Sequence, residues 1–147
     1  MSLAEPVRQS IRVRVPAARA FAIFTQQVDG WWPESHRRFP ESTLTLAPGE
    51  GGQLVERSAS GEVHQLGEVV TWEPPGRLAF SWRLGAPPTA PTLATIRFTE
   101  EHDTTLVEVV HVEGPHALPD WVRTARIFTS AWRHVLDAFA AHLPSES

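Results

Sequence analysis

Residues able to do acid–base chemistry fall on three stretches in which polar and apolar residues alternate. In "TLVEVVHVEG" (105–114), Val107, Val109, His111 and Glu113 share one face of a strand, and Leu106, Glu108, Val110 and Val112 share the other. In "EVHQLGEVVTWE" (62–73), His64, Leu66, Glu68, Val70 and Trp72 share a face. In "GGQLVERS" (51–58), Leu54, Glu56 and Ser58 do. If those faces converge, three chemistries are open. A histidine beside a carboxylate can act as a general acid–base pair, with His111 and Glu113 as the candidates. Histidines and carboxylates can hold a metal. The same groups can also serve as polar handles that orient a ligand.

Each residue also has a plain structural reading. His111 can be a hydrogen-bonded wall residue, and Glu56 and Glu113 can be solvent-facing strand positions. Residues 111 and 113 are rooted about 7 Å apart along a strand, so they bond directly only if Glu113 leans back. No HxH or HExxH spacing occurs, so no metal site is expected. There is no P-loop, GxGxxG or GxSxG, and no cofactor is expected. His102 and His142 read as surface residues.

The elements that must position these groups follow from periodicity. "VRQSIRVRV" (7–15) alternates as a half-buried strand, and Pro16 then opens a short helix through "AARAFAIFT". "VDGWWPES" (28–35) breaks at Gly30 and Pro33 and predicts a second short helix or turn anchored by Trp31 and Trp32. Six strands follow, separated by turn residues and by "EPPG"; a proline-rich segment, "GAPPTAP" (85–91), precedes the last hairpin. From Trp121 the apolar positions are 121, 122, 125, 128, 132, 135, 136, 139 and 143, a helical period, with Asp120 placed as an N-cap. Short connections make the sheet antiparallel. Its only substantial cover is the C-terminal helix, so it must twist around that helix, and an unfilled cavity between the two is expected. The lips of its opening would be "GAPPTAP" and "GPHALPD" (114–120).

Composition bounds the rest. The 147 residues carry a net charge of −4, with no basic run, which argues against nucleic acid and anionic membranes as partners. There are no cysteines, which excludes disulfides and thiolate catalysis, and no apolar run long enough for a membrane span or a signal peptide, so a cytoplasmic location is expected. Six tryptophans accompany no tyrosine and one methionine. They fit a thick aromatic core or, better given their number, an aromatic-lined cavity.

The motifs "VPAARAFAIFT", "WWPESH", "GGQLVER", "GEVHQLGEVVTWEPPGRLAFSW", "TLVEVVHVEG" and "AWRHVLDAFAAHL", in this order, resemble the START-like (SRPBCC, helix-grip) superfamily, in the branch of homologues of the Hsp90 ATPase activator. The resemblance covers nearly the whole chain. It implies one START-like domain over 1–147, of α+β class: a twisted antiparallel sheet of about seven strands wrapped around a long C-terminal helix, with two short helices after the first strand. It implies a ligand cavity under the helix, the His111 face turned inward, and His36 near the mouth. It does not imply a reaction, because fold does not fix function. Eukaryotic chaperone activators carry an additional N-terminal domain for which this chain has no room, which speaks against direct chaperone binding.

The leading expectation is therefore a protein that binds a small apolar or aromatic molecule, with Glu56, His64, Trp72, Trp82, Val109, His111, Phe128 and Trp132 around the ligand. The alternatives are a cyclase- or hydrolase-like enzyme using His111 and a carboxylate, and a chaperone-associated interaction domain. A homodimer is left open.

Overall fold

The computed structural model describes residues 6–82, 92–112 and 121–143. Strand β1 (Val7–Val13) leads into helices α1 (Ala17–Gln26) and α2 (Val28–Trp31) and a 3-10 turn (Glu34–His36). Six strands follow: β2 (Thr43–Leu46), β3 (Gln53–Arg57), β4 (Val63–Glu73), β5 (Arg77–Trp82), β6 (Thr92–Glu101) and β7 (Thr104–Val112). Helix α3 (Trp121–His142) closes the described chain. All seven strands form one antiparallel sheet in the order β1-β7-β6-β5-β4-β3-β2, curled as a half-barrel. The α+β helix-grip architecture is the one implied by the sequence.

Local chemistry explains the order. Strands β2 to β7 make a meander in which each strand pairs antiparallel with the next. Strand β1 pairs with β7 at the far edge, and Pro16 ends it by opening α1. No side chain of the N-cap residue itself satisfies the first turn; instead Glu100 of β6 accepts from the Ala17 N–H at 2.8 Å. Gly52 is obligatory in the β2–β3 turn, where a Cβ would lie 2.0 Å from the Ala47 carbonyl oxygen.

Helix α3 lays Phe128, Trp132, Val135, Leu136 and Phe139 onto the sheet. Burying a side chain of this kind contributes roughly 1.5–3 kcal/mol. Three bonds between described residues fasten the helix to β1: Gln9 Nε2 donates to the Thr129 carbonyl at 2.9 Å, and Arg133 donates to the Ser10 carbonyl at 3.0 Å and to Gln9 Oε1 at 3.4 Å. Val122, placed on the buried stripe by its spacing, is 71% exposed. It lies one turn before Ala125, the first residue of the helix that packs against the core. The N-cap assigned to Asp120, the residue Glu113 and the two proposed lip segments fall outside the described residues.

Strand β4 departs from simple alternation. Its register against β3 shifts at Leu54/Val55, and against β5 at Val69/Thr71. Each shift inserts one residue, Leu66 and Val70 respectively, and a bulge reverses which face the following residues occupy. His64, Leu66, Glu68, Val70 and Trp72 therefore do not share a face. Val69 is buried and Val70 is 42% exposed.

The expected open space at the centre of the grip is filled. Val107, Val109, His111, Leu136 and Phe139 are all 0% exposed, which leaves no water-sized void against any of them. Aromatic bulk does the filling. Phe24 packs against Trp31, Phe98 and Phe139 with ring centroids 4.9, 5.6 and 5.2 Å away, and Phe21 packs against Phe98 and Trp72. A cleft lies instead between the 3-10 turn and the stretch of α3 from Ile127 to Val135.

Candidate functional site

Three polar constellations sit inside or beside this core, and their geometry separates them. The deepest centres on His111. The Trp132 indole N–H donates to its Nδ1 at 2.9 Å. An indole can only donate, so Nδ1 carries the lone pair and the proton resides on Nε2. Nε2–H then donates to Thr92 Oγ1 at 2.6 Å, and Thr92 Oγ1–H donates onward to the Trp82 carbonyl at 3.3 Å. The Phe128 ring stacks on the imidazole at 4.1 Å. Burial pushes the imidazole down to about 3 from its ordinary 6.5. His111 is thus a neutral link in a chain of hydrogen bonds that crosses from α3 to the sheet. Both ring nitrogens are engaged, so the ring has no lone pair to offer a substrate while the chain is intact.

The second constellation centres on Glu56, 1% exposed on β3. Its two carboxylate oxygens accept from the backbone N–H groups of Arg38 and Phe39 at 2.9 and 2.8 Å. Burial alone raises such a carboxyl. Here the two backbone donors, with Ser42 and His64 adding to them, outweigh it and hold the group below its ordinary value. His64 stands opposite Glu56 in the β3–β4 pairing. His64 Nε2 and Ser42 Oγ are buried with no hydrogen-bond partner among the described residues. The task of Glu56 is to pin the segment that follows the 3-10 turn.

The third constellation opens to solvent. A cleft of about 190 Å³ lies between the 3-10 turn and α3, lined by Trp32, His36, Trp82, Ile127, Phe128, Ala131, Trp132 and Val135. Its walls are aromatic: Trp82 lies 5.5 Å from Trp132 and 6.0 Å from Trp32, centroid to centroid. Ile127 stands at its lip, 61% exposed. Across the mouth the imidazoles of His36 and His134 stack at 5.0 Å, nearly parallel. Ser35 Oγ bridges them, 3.0 Å from His36 Nδ1 and 3.3 Å from His134 Nε2. Burial first, and then repulsion from His134, lower the pKa of His36.

A clasp holds this wall in place. Arg37 donates to Asp29 Oδ1 at 2.9 Å and to the carbonyls of Asp29, Trp32 and Ser42. Asp29 also accepts from the Leu44 N–H. Arg37 is nearly buried, its side chain 10% exposed, and its planar fork suits several acceptors at once. Trp32 Nε1 closes the turn by donating to the His36 carbonyl.

Of the residues expected around a ligand, the structure brings Trp82, Phe128 and Trp132 together at the cleft. It sets His111 behind them and packs Val109 into the core. It places Trp72 against Phe21, on the α1 side of the sheet, and Glu56 and His64 under the 37–42 segment. Sequence reasoning gave no role to Ser35, His134, Ile127, Ala131, Asp29 or Arg37, and placed Val135 only on the apolar stripe of the helix. Positions 127, 131, 134 and 135 do share a helix face, which is the signal that could have found four of them. Among the described residues no three His, Asp or Glu side chains gather where they could hold a metal ion. No described helix is long and apolar enough to cross a membrane.

A curled seven-stranded antiparallel sheet gripping a long C-terminal helix is the architecture of the SRPBCC class. Within that class residues 14–144 match the family described as activator of Hsp90 ATPase homolog 1-like protein, and the chain belongs to it. No curated protein sequence matches the chain. Among solved structures it is similar to protein MLL2253 from Mesorhizobium loti, at 16% identity and a TM-score of 0.66 over 91% of this chain and 94% of that one. It is similar to DynU16, described as a putative protein in the dynemicin biosynthetic locus, at 18% identity and 0.69 over 95% of this chain and 47% of that one. It is also similar to Txn09, an anthrahydroquino-gamma-pyrone synthase solved as a complex, at 25% identity and 0.60 over 95% and 97%.

Proposed function

We propose that this protein binds a small aromatic molecule in the cleft between the 3-10 turn and α3. The observation that carries the reading is the wall of Trp32, Trp82, Phe128 and Trp132, four aromatic rings lining one cleft. Aromatic walls favour flat ligands through stacking and edge contacts. At about 190 Å³ the cleft is smaller than the roughly 300–1,000 Å³ of drug-sized sites. A one- or two-ring compound, or one ring system of a larger molecule, suits it. The likeness to Txn09, whose name places it in the synthesis of a polycyclic aromatic product, supports the same ligand class.

That likeness also favours a second reading, in which the bound molecule is transformed. Under it the acid–base groups are His36 and His134 at the mouth, because His111 is committed to its hydrogen-bond chain.

Titration of 1-naphthalenemethanol, followed by tryptophan fluorescence and calorimetry, tests the first reading. Saturable binding is expected, and Ala131→Phe, which fills the cleft from the half-exposed face of α3, should abolish it while the melt stays cooperative. Binding unaffected by Ala131→Phe would place the ligand elsewhere and overturn the reading.

A further inference from the structure

Resting on the cleft as the ligand site, the geometry points to Ser35, His36 and His134 as a proton-taking clamp for an acidic oxygen, so that the preferred ligands are aromatic carboxylates or phenolates.

The reasoning begins with the bridge. A serine hydroxyl has one proton to donate and lone pairs to accept with. It lies between two imidazole nitrogens, at 3.0 and 3.3 Å. In the neutral state Ser35 therefore donates to one ring and accepts from the other. One of the two bridged nitrogens carries a proton and the other a lone pair. Neither His36 Nε2 nor His134 Nδ1 bonds to a described residue, and His36, which lines the cleft, keeps that nitrogen for a visitor. An aromatic body held by Trp32, Trp82 and Trp132 would bring its polar substituent to this edge, since the remaining described lining, Ile127, Phe128, Ala131 and Val135, is apolar.

The charge environment selects the substituent. From α3, His134 faces His36 and disfavours its protonation, as partial burial does. On its own turn His36 has Glu34 and Arg37 for neighbours, and Arg37 is committed to Asp29. Flanking His134 on α3, Arg133 and Asp137 pair with each other at 2.9 Å. No unpaired cation among these groups stands ready for an anion, so a ligand anion must bring its countercharge with it as a proton on the imidazole pair. A carboxylate in the mouth supplies the opposite charge that His36 lacks and raises its proton affinity. The cationic ring then donates from both nitrogens, to Ser35 Oγ on one side and to the ligand oxygen on the other, while the Ser35 hydroxyl keeps its proton and donates it as a hydrogen bond to His134 Nε2. No covalent bond changes; one proton moves from solvent to the imidazole.

Two probes of similar shape separate this inference from the reading beneath it. 1-Naphthoate is anionic between pH 6 and 8, and 1-naphthalenemethanol is neutral throughout. Naphthoate affinity should rise toward low pH, by at most about tenfold per pH unit for one linked proton, whereas the neutral probe should show no pH dependence. Calorimetry in two buffers of different ionisation enthalpy should show net proton uptake with naphthoate alone. His36→Gln and His134→Gln, each checked by its melt, should abolish the slope and the uptake. A naphthoate affinity flat from pH 8 to 6, or a slope that survives both substitutions, overturns the clamp while the neutral probe still reports the cleft. If neither probe binds, the cleft reading fails and the clamp falls with it.

Discussion

The molecule holds histidines in two opposite settings about one shared wall of tryptophans. His111 lies behind that wall, fully buried, with its tautomer fixed by an indole that can only donate. His36 and His134 lie in front of it, partly exposed, bridged by a hydroxyl that can face either way. The same side chain is a buried link of fixed direction in one place and half of a hydroxyl-bridged pair near the surface in the other. What differs is whether water and a mobile donor can reach the ring. A histidine's position in a ligand-binding fold therefore says little about its role until the direction of each of its hydrogen bonds is known.

The largest test of the comparison removes its common wall. Trp132→Ala should cost about 3–5 kcal/mol, the range for a large core truncation, because it opens a cavity and leaves His111 Nδ1 without its donor. A denaturant melt measures it, and a loss under about 1 kcal/mol would mean that the indole is not integral to the core.

Next comes the third polar locus, which is charged and buried yet holds only backbone. Glu56→Gln should cost about 1–3 kcal/mol, since an amide nitrogen must then face a backbone N–H at Arg38 or Phe39. The same melt checks it; a neutral result would show that one backbone bond suffices to pin the segment.

The acid limb of stability sharpens the contrast. The unfolded chain protonates His111 near pH 6.5, whereas the folded chain resists until about pH 3. Between those values the unfolded state binds more protons, so stability falls as pH falls, by at most about 1.4 kcal/mol per unit from this group. Glu56 is depressed, so its contribution is present above its ordinary 4.5 and is lost only as pH falls through its lower folded value. Melts between pH 7 and 5 thus leave the carboxylate out and report the histidines with lowered values, His111 and His36. His111→Gln should flatten that segment of the curve; an unchanged slope would assign it to other groups.

The smallest effect is expected in front of the wall. His36→Gln should change stability by less than about 0.5 kcal/mol, as for a rim residue outside the core. A loss of several kcal/mol in the same melt would erase the distinction between the two settings.

Much of this was legible beforehand. Alternation placed β1 and β7 and put Val107, Val109 and His111 on one face, the resemblance turned that face inward, and the helical period placed Phe128, Trp132, Val135 and Phe139 on one stripe. The two bulges of β4 were not legible, because an inserted residue changes register without changing composition; Val70 looks as apolar as Val69. The filled centre escaped for a related reason. Counting tryptophans does not reveal that Phe21, Phe24, Phe98 and Phe139 occupy the space the sheet encloses. The rim pair was hidden by sequence separation. Ser35 and His134 are 99 residues apart, and nothing local in either segment signals the other.

The tryptophan wall has an optical consequence. Trp32, Trp82 and Trp132 have ring centroids 5.5–6.5 Å apart, close enough for their excited states to couple rather than absorb independently. Such a trio produces paired positive and negative circular-dichroism bands whose sign follows the handedness of the ring arrangement. A visitor sliding between the 3-10 turn and α3 would change those angles by contact. The wall that shapes the cleft thereby also gives the protein an intrinsic optical signal of occupancy, with no label attached.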